Sequence, residues 1–162
     1  MTAKTSTVPT TSLDPDVTAG VAQFLSPVVV NLQALAVDGK QAHWHVRGSN
    51  FIGVHEFLDA LVDHARAWAD LAAERIVALG LPVDARVQTI AEKTTTPKLS
   101  DGFQQSDATI AAVIAQIDAT LEVVRTAVDE LDELDQPSQD IAIEIANGLD
   151  KDRWFLFAHL AN

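Results

Sequence analysis

Residues 51–79 read FIGVHEFLDALVDHARAWADLAAERIVAL. Within them Val54, Phe57, Leu58, Leu61, Ala65, Trp68, Ala72, Ile76 and Leu79 recur at steps of three and four. That spacing predicts one apolar face of a long helix, stopped by Gly80 with Pro82 behind it. The opposite face carries two chelating pairs. His55 and Asp59 are four positions apart, and so are Asp70 and Glu74, so each pair shares a side of the helix. His55 and Asp70, however, are fifteen positions apart, about 22 Å along a helix axis. Metal–ligand bonds are only ~2.0–2.2 Å long, so one helix cannot close both pairs around one ion. For the pairs to cooperate, the second must come from another copy of the helix running antiparallel. A two-fold axis supplies that copy and generates two identical sites per dimer. His43, just before the short loop leading back to His55, is placed to join the cluster.

Outward from this helix the pattern repeats. Asp14-Pro15 predicts a helix start, with Asp as N-cap and Pro at the first helical position. Val28, Leu32, Leu35 and Ala36 carry a first helix towards Trp44, and Ser26-Pro27 marks either the end of a short helix or a bend in a long one. Residues 81–101, rich in Pro, Thr and scattered charge, predict a long connection with a turn of helix near Asp84–Ala91. A third helix follows, with Ile110, Ile114, Ile117, Leu121, Val124, Val128 and Leu131 on one face. Asp135-Gln136-Pro137 ends it, and a fourth runs from about Ser138 to His159. No stretch alternates with period two for long enough to predict a strand. Four long helices with one long crossover, between the second and third, define an all-α four-helix bundle with a ferritin-like connection. The domain is expected over 14–162, behind a Thr/Ser-rich flexible arm over 1–13. In the fourth helix Trp154, Phe155, Leu156 and Phe157 are consecutive, which predicts burial on more than one side and points to a partner subunit.

Composition narrows the chemistry. The chain of 162 residues has no Cys, which excludes disulfides, thiolate zinc sites, iron–sulfur clusters and cysteine nucleophiles. Lys and Arg number 11 against 23 Asp and Glu, a formal net charge of −12, which disfavours nucleic acid as a partner. With no apolar stretch judged long enough to span a bilayer and no signal segment, a soluble cytoplasmic protein is expected. Glu-x-x-His, the usual di-iron signature of helical bundles, does not occur. The available ligands, imidazole and carboxylate, suit iron, manganese or zinc rather than copper(I).

KQAHWHVRGSNF over 40–51, His55-x-x-x-Asp59 and Asp70-x-x-x-Glu74-Arg75 together resemble the Dps family, the small ferritin-like DNA-binding proteins from starved cells. Leu149-Asp150-Lys151 and Trp154-Phe155 extend the resemblance from about Val21 to the C-terminus. It implies a hollow shell of twelve subunits that oxidises Fe(II), preferably with hydrogen peroxide, and stores the ferric mineral. It assigns His43, His55 and Asp59 from one subunit and Asp70 and Glu74 from its two-fold neighbour, around two irons or one iron and a water. Trp44 and Trp154 match family tryptophans near the ferroxidase site, where they would absorb stray oxidising equivalents; they also fit as core anchors. Asp135, Asp140 and Glu144 match carboxylates that line three-fold pores in the family, and they also suit the positive end of a helix. The remaining histidines, His45, His64 and His159, are expected at surfaces or interfaces, with His45 a candidate proton acceptor.

Family members that bind DNA use Lys/Arg-rich tails. Here the arm offers Lys4 and the chain stops at Asn162, so DNA binding at physiological salt is not expected. Nucleoid compaction is the competing reading from a different class. Metal-assisted hydrolysis of an amide or ester, by a water activated on the ion, is another; with no separate nucleophile motif present, it would have to use the same metal. Twelve copies of a −12 chain would carry roughly −144, enough to suggest that acidity lines the sites, pores and cavity and draws in Fe(II).

Overall fold

The computed structural model describes residues 9–160, so residues 1–8 of the expected arm lie outside the described residues. Four long helices build the chain: α1 (Pro15–His45), α2 (Phe51–Ala78), α4 (Ser106–Leu131) and α5 (Gln136–Ala158). Between α2 and α4 the crossover holds a short α3 (Val87–Lys93), three residues later than the sequence suggests and packed on α1. Leu13 packs against the core and Thr10 lies beside Gly80, so the described end of the expected arm lies along the bundle.

Local signals explain the ends. Asp14 accepts from the backbone N–H of Asp16 at 2.9 Å, with Pro15 at the first helical position of α1. The helix then runs unbroken through Pro27, which is exposed. Leu25, Val28, Val29 and Leu32 on either side are buried, and that burial outweighs the hydrogen bond a proline forfeits. The single continuous helix settles the choice left open at Ser26-Pro27. α1 is also long and apolar enough, by composition, to cross a bilayer, contrary to the sequence expectation. Its apolar residues are spent on the bundle instead, with Val21, Leu25, Val28, Leu32 and Leu35 fully buried.

The predicted stripes of α2 and α4 face the same core as α1, as their periodicity requires. On α5 the outcome differs: Leu156 is buried, but Trp154, Phe155 and Phe157 are exposed on a single chain. A helix has only one side towards its own bundle, so consecutive rings cannot all be covered by it.

The loops add one short pair of strands. Val46–Arg47 pairs in parallel with Gln104–Gln105, a ladder two residues long. It ties the α1–α2 loop to the end of the crossover, and Arg47 lies over the ring of Phe103. Gly48 makes the tight turn possible, with φ +97° and the Gln105 amide packed where a Cβ would stand. This clamp fixes the hairpin between α1 and α2, and therefore the relation between His43 and His55.

Candidate metal centre

His43 is in the last turn of α1 and His55 in the second turn of α2, so the short loop folds them together. Their rings stack with centroids 3.6 Å apart and planes 22° from parallel. Each Nδ1 sits on the other residue's backbone carbonyl, His43 to His55 at 2.8 Å and His55 to His43 at 2.9 Å. A carbonyl can only accept, so both Nδ1 atoms carry hydrogen. In the neutral rings both Nε2 atoms then keep a lone pair, and neither has a protein partner among the described residues. Anchoring one ring nitrogen to free the other is how metal-binding histidines are oriented.

Asp59, one turn beyond His55, is half-exposed and forms an ion pair with Lys40 of α1. Its Oδ1 is 3.4 Å from Nδ1 of His43. The hydrogen bond from Lys40 outweighs the effect of burial and holds the carboxyl below the usual range, helped by the nearby histidines. Lys40 lies three positions before His43, on the same side of α1; only the pairing across helices gives it a part here.

Asp70 and Glu74 lie further along α2, exposed and far from the histidines of their own chain. Among the described residues of one chain, no three His, Asp or Glu side chains converge as a metal site. One chain thus brings a histidine pair and the Asp59 carboxylate near one another without closing them into a metal site.

Other predicted residues have different surroundings. Trp44 is exposed beside His43, and Trp154 packs edge-on against Phe155 at 5.0 Å rather than on the histidines. Asp140 and Glu144 are exposed on α5. Asp135, placed with them in the sequence reading, is instead buried as the N-cap of α5. Its Oδ2 accepts from Arg75 Nη2 at 2.6 Å and from the Ser138 backbone N–H at 3.1 Å. Burial opposes its ionisation, but the hydrogen bonds from Ser138 and Arg75 win and leave the carboxyl below its ordinary value. Asp135 therefore joins α2 to α5. His64 is likewise committed: its Nδ1–H donates to buried Asp152 at 2.9 Å. Burial pushes the Asp152 carboxyl up, and His64 only partly offsets that. His45 accepts from the Gln41 side-chain amide at 3.0 Å and tilts against Phe103.

A four-helix bundle with one long crossover, between α2 and α4, and a histidine–carboxylate cluster at the α1–α2 hairpin defines a ferritin-like protein. In agreement, the profile of the Ferritin family, described as a ferritin-like domain, matches residues 24–162. Within that class the chain belongs to the Dps family, whose members are ferritin-like proteins broadly concerned with iron storage and DNA protection. It is 36% identical over 140 residues to the DNA protection during starvation protein of Mycolicibacterium smegmatis, covering 86% of this chain and 76% of the relative. The structure of Dps from Microbacterium arborescens in a high iron form superposes with TM-score 0.89 at 61% identity, covering 92% of this chain and 97% of that one. A Dps structure from Mycobacterium smegmatis gives TM-score 0.89 at 32% identity, covering 98% and 96%.

Proposed function

We propose that the chain is a ferroxidase that oxidises Fe(II), preferably with hydrogen peroxide, and stores the ferric product inside a hollow shell of twelve subunits. The observation that carries this reading is the reciprocal anchoring of His43 and His55, which leaves two imidazole nitrogens as ready donors beside Asp59. Asp70 and Glu74 of the partner subunit complete the ligand set. Two chelating pairs about 22 Å apart on one rigid helix cannot otherwise meet.

Iron is the substrate. Neutral imidazole and anionic carboxylate stabilise the higher charge of Fe(III), which favours electron loss at the site. With each H2O2 reduced to two waters, two Fe(II) become two Fe(III) and two protons are taken up. No hydroxyl radical is then released. The exposed Asp140 and Glu144 are assigned to iron uptake, where symmetry copies would focus negative potential on a cation. A chain carrying −12 gives DNA phosphates little to bind, so no appreciable DNA affinity is expected at about 150 mM salt. A tight mobility shift with plasmid under those conditions would overturn that part.

The direct test is anaerobic loading with Fe(II) followed by peroxide, comparing the native protein with His43→Ala and Asp70→Ala. The native protein should speed oxidation, and both variants should lose most of that acceleration. No acceleration by the native protein would sink the ferroxidase; equal rates in all three would sink the ligand assignment.

A further inference from the structure

The shared site fixes where a two-fold axis must cross α2, and the residues at that crossing have properties of their own. Asp59 and Asp70 are equidistant from the peptide bond joining His64 and Ala65, and so are His55 and Glu74. Two antiparallel copies of a helix related by a two-fold set each residue level with its mirror position about the axis. Both ligand pairs therefore demand the same axis, at that peptide bond.

The nearest charged pair symmetric about this point is Asp63 and Arg66. Both lie on the ligand-bearing side of α2: Asp63 is one turn beyond Asp59, and Arg66 one turn before Asp70. Both are exposed. Of the six arginines, Arg75, Arg86, Arg125 and Arg153 each pair with an aspartate of their own chain, and Arg47 lies on Phe103. Arg66 has no such partner among the described residues, although Asp63 and Asp70 flank it at three and four positions. Further out, the next exposed apolar residues on this side, Ile52 and Val77, are also equidistant from the axis, 61% and 56% exposed.

We propose that Asp63 and Arg66 form two symmetric ion pairs across the axis, Asp63 of each chain with the partner's Arg66, and that these set the register completing the metal site. This rests on the shared-site reading above. The remaining charges on this side of α2, including Glu56, Asp59, Asp70 and Glu74, are acidic, so two copies would repel without a cation at the crossing. Arg66 is the cation that lies there. Sliding one helix by a turn, so that Asp59 met the partner's Glu74, would put Asp63 level with the partner's Asp70. Like charges facing each other penalise that register. At the correct register Ile52 covers the partner's Val77 at both ends of the contact.

Charge reversal tests this. Arg66→Asp alone sets two acids against two acids at the axis, and Asp63→Arg alone does the same with cations. Each should raise the concentration at which the assembly dissociates at least tenfold, about 1.4 kcal/mol, read as mass by light scattering on dilution at low salt. Each should slow Fe(II) oxidation in parallel. The double reversal Asp63→Arg/Arg66→Asp restores opposite charges in the same register and should return both readouts to within about threefold of native. Far-UV circular dichroism shows that the chains remain helical, as exposed positions should. Native mass and oxidation in either single variant would overturn the pairing, as would a double reversal that stays helical and dispersed in solution yet fails to recover mass and oxidation. If native chains oxidise no iron yet the masses follow this pattern, the interface stands and the ferroxidase reading falls.

Discussion

Replacing Arg75 by Met removes the cation from a carboxylate that the fold has buried. Asp135 is 8% exposed, and one of its oxygens accepts from Arg75, from the backbone N–H of Ser138 and from the Ser138 hydroxyl. Stranding a fully buried charge costs about 3–5 kcal/mol. The Arg75 side chain is 22% exposed and the two Ser138 donors persist, so solvent and the cap recover part of this, leaving ~2 kcal/mol. For a chain of this length that shifts the melting temperature down by about 4–8 °C. The pH dependence has a definite sign. Because the folded carboxyl titrates below its unfolded value of 3.8, its contribution is present above about pH 4 and fades as pH falls through the lowered value. Arg75→Met should therefore be most harmful near neutrality and converge on the native protein in acid. Asp135→Asn, which keeps an acceptor for the cap, should cost less, about 1 kcal/mol. Thermal melts at constant protein concentration, followed by circular dichroism at pH 7 and below about pH 3, measure both. A melting temperature for Arg75→Met within about 1 °C of native at pH 7 would refute the argument.

Four further outcomes follow from other contacts. Asp140→Asn/Glu144→Gln should slow iron uptake while Asp135→Asn leaves its rate unchanged, read from Fe(II) disappearance in stopped flow. Gly148→Ala would push a methyl group to 2.6 Å from Cη2 of the rigid Trp68 ring and should cost about 1–3 kcal/mol in denaturant unfolding; adding Trp68→Phe should recover most of it. Asp152, whose folded carboxyl titrates above its unfolded 3.8, opposes folding increasingly as pH rises past about 4. Asp152→Asn should thus stabilise the protein at pH 7 and lose that advantage at pH 4, as paired melts would reveal. Nitrogen-15 spectra of the iron-free protein should show His43 and His55 carrying hydrogen on Nδ1, and a ring with hydrogen on Nε2 but none on Nδ1 would contradict the anchoring.

Periodicity alone was enough for the helices, because a buried stripe must repeat with the helix, and Asp14-Pro15 and Gly80 marked their ends. Pro27 was undecidable from its neighbours, since only the burial of Leu25 and Val28 shows that the helix survives it. The ladder between Val46–Arg47 and Gln104–Gln105 is too short to leave any alternation. At the candidate site, the spacing of His55, Asp59, Asp70 and Glu74 was legible because residues four apart share a helix face. The bonds that orient the histidines run to backbone carbonyls, which every residue has, so no sequence pattern announces them. The capping role of Asp135 was hidden for a related reason. A carboxylate at a helix start looks the same whether it faces solvent or caps the helix, and the deciding partner, Arg75, is sixty positions away.

The claim that two subunits share each metal centre is tested most directly by mixing two dead variants. His55→Ala and Asp70→Ala should each abolish accelerated Fe(II) oxidation on its own. Co-assembled in equal amounts, half of the two-fold pairs contain one of each, and each such pair has one centre with every ligand intact. Oxidation should therefore return to about a quarter of the native rate. Activity that stays at the level of the separate variants, with mixed assembly confirmed by mass, would contradict a centre built across the subunit boundary.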